Sequence, residues 1–217
     1  MTAENETTRH NVSRRELLKR VILGAATVVP ASFITGATSA QESFETLTSA
    51  EAATLEAIVA RLIPTDENGP GATEARAAYY IDRALGDALA PSREAYTAGL
   101  AAVDALARRT KNAAFARLAP PEQDDILREM ESGNAAGFTP DSSTFFELVR
   151  THTLEGTFCD PHYGGNASFV GWDLIGYPGI RIVVTADHQR LGQSPRPLHR
   201  SAYDFERVVK EVLRRDR

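Results

Sequence analysis

The chain has 217 residues, with 24 Lys and Arg against 29 Asp and Glu, a net charge of −5, and a single cysteine. An acidic balance argues against nucleic acid as a partner, because phosphate binding needs a basic surface that displaces counterions. One cysteine rules out an internal disulfide, so packing must stabilise the fold. The chain also lacks C-x-x-C-H, G-x-G-x-x-G and G-x-x-x-x-G-K-[ST].

The first feature in chain order is Ser13-Arg14-Arg15-Glu16-Leu17-Leu18-Lys19, followed by an apolar run from Val21 to Ile34. The pattern reads as a twin-arginine export signal, in which Arg14, Arg15, Leu17 and Leu18 are the residues a translocase reads. Leu stands where Phe is common. The run is interrupted by Gly24, Thr27, Pro30 and Ser32, and it is shorter than the roughly 20 residues that span a bilayer. Thr38-Ser39-Ala40 before Gln41 suits signal-peptidase cleavage after Ala40. Residues 1–40 therefore read as a signal peptide and 41–217 as one helical domain, with the periplasm as destination. Five basic and three acidic residues fall in the first 40. The remainder holds 19 basic and 26 acidic residues, a net of −7.

The stretch 48–130 reads as helical. Thr48-Ser49-Ala50-Glu51 is a capping box, and Leu55, Ile58, Val59, Leu62 and Ile63 follow as one apolar stripe. Pro64 ends that helix, and 65–71 is rich in turn residues. A second helix is expected over about 73–89, with Tyr80, Ile81, Ala84, Leu85 and Ala88 as its buried face. One of Tyr79 and Tyr80 is expected in the core and the other on the surface. A third helix starts near Pro91, tolerated in a first turn, and carries Tyr96, Leu100, Val103 and Leu106. A short piece with Phe115 and Leu118 leads to Pro120-Pro121. The next helix holds Ile126, Leu127 and Met130 and stops at Gly133. Asp141 or Ser142 caps a fifth helix bearing Phe145, Phe146, Leu148, Val149 and His152.

After Gly156 regular periodicity stops until Ser201, which opens a helix with Phe205, Val208, Val209, Val212 and Leu213. Between them, Ile180-Arg181-Ile182-Val183-Val184 is an isolated strand-like run. The expected fold class is mainly α, a helical domain with a long structured Gly/Pro/aromatic loop. Loops of that length cost entropy to order and are seldom idle.

The loop reads from Thr151 through Asn166 and on to Gly179. Asp160-Pro161 initiates a turn, and Gly164-Gly165-Asn166 supplies residues that tolerate positive φ. Trp172 has an apolar body with one N–H that needs a partner. Gly176-Tyr177-Pro178-Gly179 makes a second turn. Glu155 and Asp160 are expected to accept backbone N–H bonds that hold the loop's shape. Tyr163, Asn166 and Trp172 read either as contacts to another chain or as self-packing of the loop. Cys159 is either a buried thiol or paired with another chain.

The runs T-x-E-G-x-x-x-D-P-x-Y-G-G-N, from Thr153 to Asn166, and G-W-x-x-I-G-Y-P-G, from Gly171 to Gly179, resemble the small subunit (subunit 3, or gamma) of gluconate 2-dehydrogenase and related flavin sugar dehydrogenases. The twin-arginine signal and the helix ending in Ile63-Pro64 share that resemblance, which covers most of residues 44–180. It implies a non-catalytic chain with no cofactor of its own. Its partners would be a large FAD-containing catalytic subunit, a cytochrome c subunit carrying haem or another electron acceptor, and the twin-arginine translocase. The small subunit would escort the signal-less catalytic subunit into the periplasm, where the complex associates with the membrane. Glu155, Asp160, Pro161, Tyr163, Gly164, Gly165, Asn166, Trp172 and Tyr177 would shape the loop and meet the partner.

Two other classes remain open. His152 and Glu155, spaced i, i+3, could join Asp160 and His162 as metal ligands in a stand-alone exported enzyme, although the set is not H-E-x-x-H. A periplasmic binding module is the other. Serine-hydrolase chemistry is not supported, because neither Ser168 nor Ser194 lies in G-x-S-x-G.

Overall fold

The computed structural model describes residues 43–181 and 183–205. Helix α1 spans Ser49–Leu62 and starts where the sequence predicts. Thr48 Oγ1 accepts the Glu51 N–H at 3.3 Å, and Glu51 Oε2 accepts the Thr48 N–H at 2.8 Å. Leu55, Ile58 and Val59 are buried, with Leu62 and Ile63 packed at the core's edge. Glu51 also accepts two 3.0 Å bonds from the Arg93 guanidinium. Burial works to raise its carboxyl pKa, but the Arg93 and Thr48 bonds together hold it down to about 2.

Helix α2 spans Ala77–Leu85, shorter at both ends than the periodicity suggests. Arg76 just before it has φ 61°, a left-handed backbone that keeps the preceding turns at 72–76 out of the helix. Its buried face is Ala77, Ala78, Ile81, Asp82 and Leu85, while Ala88 lies beyond the helix and is exposed. Tyr79 and Tyr80 are both half-buried rather than split between core and surface. Tyr79 stacks on Phe44 at 4.4 Å.

Helix α3, Arg93–Lys111, buries all four predicted stripe residues, Tyr96, Leu100, Val103 and Leu106. A 3-10 turn at Phe115–Arg117 drives Phe115 fully into the core. Helix α4, Pro120–Glu131, begins on the two prolines, whose fixed φ suits a first turn. It buries Ile126, Leu127 and Met130. Helix α5, Ser142–Phe158, is capped by Asp141, whose side chain accepts the Thr144 N–H at 2.9 Å.

Helix α5 packs against each of α1 to α4 and is the centre of the bundle. That position explains how far the helix extends. The loop motif starts at Thr151, but its first eight residues, 151–158, are the last two turns of α5, so the helix that carries His152 runs two residues past the change of character after Gly156. Thr153 and Thr157 satisfy their hydroxyls on the carbonyls of Val149 and Thr153, both at 2.7 Å. Low intrinsic helix propensity is overridden by packing on four neighbours.

The expected strand is also corrected. Ile180, Arg181, Val183 and Val184 adopt no regular secondary structure, and Val183 and Val184 are 67% and 55% exposed. β-Branched side chains favour extended backbone, but a strand needs a neighbour to bond with. No strand forms among the described residues; Asp66 and Gly69 make a single bridge. A helical turn begins at 202–205, and Val208, Val209, Val212 and Leu213 of the predicted last helix lie outside the described residues.

Candidate functional site

The loop leaves α5 at Cys159 and is fastened first by Asn166. Asn166 is fully buried in a left-handed conformation, φ 45° and ψ 42°. Its N–H donates to Gly156 O at 2.8 Å, its Nδ2 donates to Cys159 O at 2.8 Å, and its Oδ1 accepts the Gly171 N–H at 2.8 Å. One carboxamide thus fastens the end of α5 to the start of a short helix α6, Val170–Leu174. The open ends of two helices are satisfied at once.

Two glycines make this closeness feasible. A Cβ on Gly165 would lie 2.0 Å from Gly156 O, and one on Gly171 would lie 1.9 Å from Thr157 O. Gly165 is therefore required for space, not for positive φ as its sequence context suggests; the positive φ values belong to Gly164 and Asn166.

Trp172 is 5% exposed and donates its indole N–H to Phe158 O at 3.0 Å. Tyr177 lies edge-on to it at 4.9 Å and is 39% exposed. Asp160 and Pro161 open a 3-10 turn, Pro161–Tyr163. Asp160 Oδ1 accepts the His162 N–H at 2.9 Å, and its Oδ2 accepts the Ala202 N–H at 2.8 Å. Tyr163 is 49% exposed, and its hydroxyl shares a 2.7 Å bond with that of Tyr203, whose ring stacks on His162.

Asp160 behaves as the sequence reading expects. Glu155 does not: it is exposed on α5 and accepts the Tyr80 hydroxyl at 3.3 Å rather than a loop N–H. Of the three residues read as partner contacts or self-packing, Asn166 and Trp172 are self-packed and Tyr163 is at the surface. Arg14, Arg15, Leu17 and Leu18 lie outside the described residues.

The residues proposed as metal ligands do not converge. His152 is buried, its Nδ1 2.9 Å from the Tyr96 hydroxyl, and burial pushes its pKa below the ordinary histidine value. Burial likewise pushes the Tyr96 hydroxyl up, so this pair is neutral near pH 7. Among the described residues, no group of three or more His, Cys, Asp and Glu is placed to hold a metal ion. Cys159 is half-buried, and burial raises its thiol to about 11, leaving it protonated and weakly nucleophilic.

Three structural residues escape the sequence reading. Asp82, 1% exposed, accepts the N–H groups of Glu45, Thr46 and Leu47 at 2.7, 3.0 and 2.7 Å, fixing the segment that leads into α1. A carboxylate on the stripe Ala78, Ile81, Asp82, Leu85 was a usable signal, because a charge there must be paired. His199 bonds Asp173 at 2.8 Å and stacks on Phe169, and Tyr203 closes the ring cluster at Tyr163; no spacing singles either out. Between the Asp82-anchored segment, α2 and the end of α5 runs an open groove of about 890 Å³, which reaches Cys159 and Tyr163.

Fold and site together define a small helical domain whose C-terminal part is wrapped back as an internally bonded platform. Residues 49–179 match the protein family described as gluconate 2-dehydrogenase subunit 3, and the chain belongs to that family. No curated protein and no solved structure matches it. No helix among the described residues is long and apolar enough to cross a membrane.

Proposed function

We propose that this chain is the non-catalytic small subunit of a periplasmic FAD-dependent sugar or polyol dehydrogenase complex. It binds the catalytic subunit and carries it through twin-arginine export. Family membership is the observation that carries the reading. The flavin, and any haem c, reside in other subunits. Residues 1–40 are the export address, and 41–217 the part that stays in the complex.

The surface supports a docking role. Ile175, Tyr177, Val183, Val184 and Leu191 are exposed at 59%, 39%, 67%, 55% and 103%. Exposed apolar side chains along one stretch suit contact with another chain, and a pre-ordered platform loses little entropy on binding. Tyr163 and Tyr177, rather than the buried Trp172 and Asn166, present the aromatic surface.

Replacing both Arg14 and Arg15 with Lys tests the escort role. The dehydrogenase activity of the complex is expected to drop at least tenfold in the periplasmic fraction and to accumulate in the cytoplasm. Unchanged periplasmic activity in the double variant would contradict it.

A further inference from the structure

Three carboxylates line the groove between α2, the 43–47 segment and the end of α5: Glu45, Asp87 and Glu155. All three are exposed, and none pairs with a cation among the described residues. This contrasts with Glu51, Asp104, Asp124 and Glu147, each of which holds an arginine. Arg83, the one guanidinium lining the groove among the described residues, has no ion pair among them and lies over Gly164. The groove is therefore net negative.

Its walls are not polar throughout. Leu154, 40% exposed, and Phe158 come from α5, and Ala84 and the Tyr80 ring come from α2. Burial and the neighbouring Glu155 charge push the Tyr80 hydroxyl up to about 12, so it is a neutral donor there. Apolar walls with a negative rim suit a side chain that has an aliphatic stem and a positive head.

We propose that this groove seats a segment of the catalytic subunit that presents a lysine or arginine flanked by apolar side chains. The proposal rests on the function stated above and adds where the partner binds and what chemistry it brings. The cation meets Asp87 and Glu155, its neighbours cover Leu154 and the Tyr163 ring, and Asp82 holds the Glu45 wall in place. Charge complementarity of this kind sets association rate and partner choice, and weakens with salt.

The test immobilises the full chain and its Asp87→Lys/Glu155→Lys variant and captures the flavin-bearing chain from native cell extract, measured by flavin absorbance. Both positions are exposed, and far-UV circular dichroism verifies that the variant folds. The variant is expected to retain at least tenfold less flavin-bearing chain, and wild-type capture is expected to fall between 50 mM and 500 mM salt. Equal capture by both proteins overturns the groove while leaving the accessory role standing. No flavin-bearing chain on the wild type overturns the accessory role itself, and the groove proposal with it. A photo-crosslinking residue replacing Leu154 is expected to label a partner peptide containing Lys or Arg, whereas one replacing exposed Arg109 on α3 is not. Labelling of a second copy or of this chain's own C-terminal segment from position 154 overturns the proposal.

Discussion

Asp82→Ala is expected to lower stability by about 3–5 kcal/mol. Hydrogen bonds to a charged acceptor contribute roughly 1.5–3 kcal/mol each, and Asp82 accepts three. The Glu45 and Thr46 amides are part-buried and regain some of that from water, but the Leu47 amide is buried and does not. For a domain of this size the loss corresponds to a melting temperature lower by roughly 10 °C. By comparison, Arg61→Ala removes a partly exposed pair with Asp124 and should cost no more than about 1 kcal/mol. Hydrogen exchange should localise the effect, with the amides of Glu45 to Leu47 losing protection first. A melting temperature within 2–3 °C of wild type, on the scale of ordinary surface changes, would show that Asp82 does not anchor the segment.

Asn166→Ala leaves the buried Gly171 N–H and the Cys159 carbonyl without their partner and puts a Cβ-bearing apolar residue in a left-handed backbone. An unsatisfied buried group costs about 1–3 kcal/mol, and the backbone adds roughly 1–2 kcal/mol, for a total near 3–4 kcal/mol. The damage should be local. Trp172 is the only tryptophan and is bonded to Phe158 O beside this pin, so its emission should shift to the red as the platform loosens. Helix content measured by circular dichroism should change little.

Asn166→Asp sharpens the test. Above neutral pH it buries a charge against the Cys159 carbonyl, whereas the protonated acid can donate there as Nδ2 does. The folded state thus raises the acid's pKa, and its stability should recover as pH falls below the folded-state value. Unshifted tryptophan emission in Asn166→Ala, with Asn166→Asp insensitive to pH, would mean that the carboxamide is not what holds the platform.

How much of this was legible before the structure differs element by element. The α1 capping box, the α1 and α3 stripes, the proline start of α4 and the Asp141 cap are local signals, and locally stabilised elements follow them. The end of α5 was legible to about Gly156; that Thr157 and Phe158 continue the helix depends on packing against distant helices. The Ile180–Val184 run misled because extended propensity says nothing about whether a partner strand exists. In the platform, the Gly, Asn and Trp residues could be picked out. Their division into a buried pin at Asn166 and Trp172 and exposed rings at Tyr163 and Tyr177 is a tertiary property. Asp82 carried a readable signal, a charge on an apolar stripe, whereas His199 and Tyr203 matter only because the chain returns to the platform.

The most direct measurement of the central claim is affinity capture of the tagged full chain from cells that make it natively, with the eluate scanned for flavin absorbance. A co-purifying larger chain with a flavin spectrum is expected. A single colourless chain recovered under gentle conditions would contradict it.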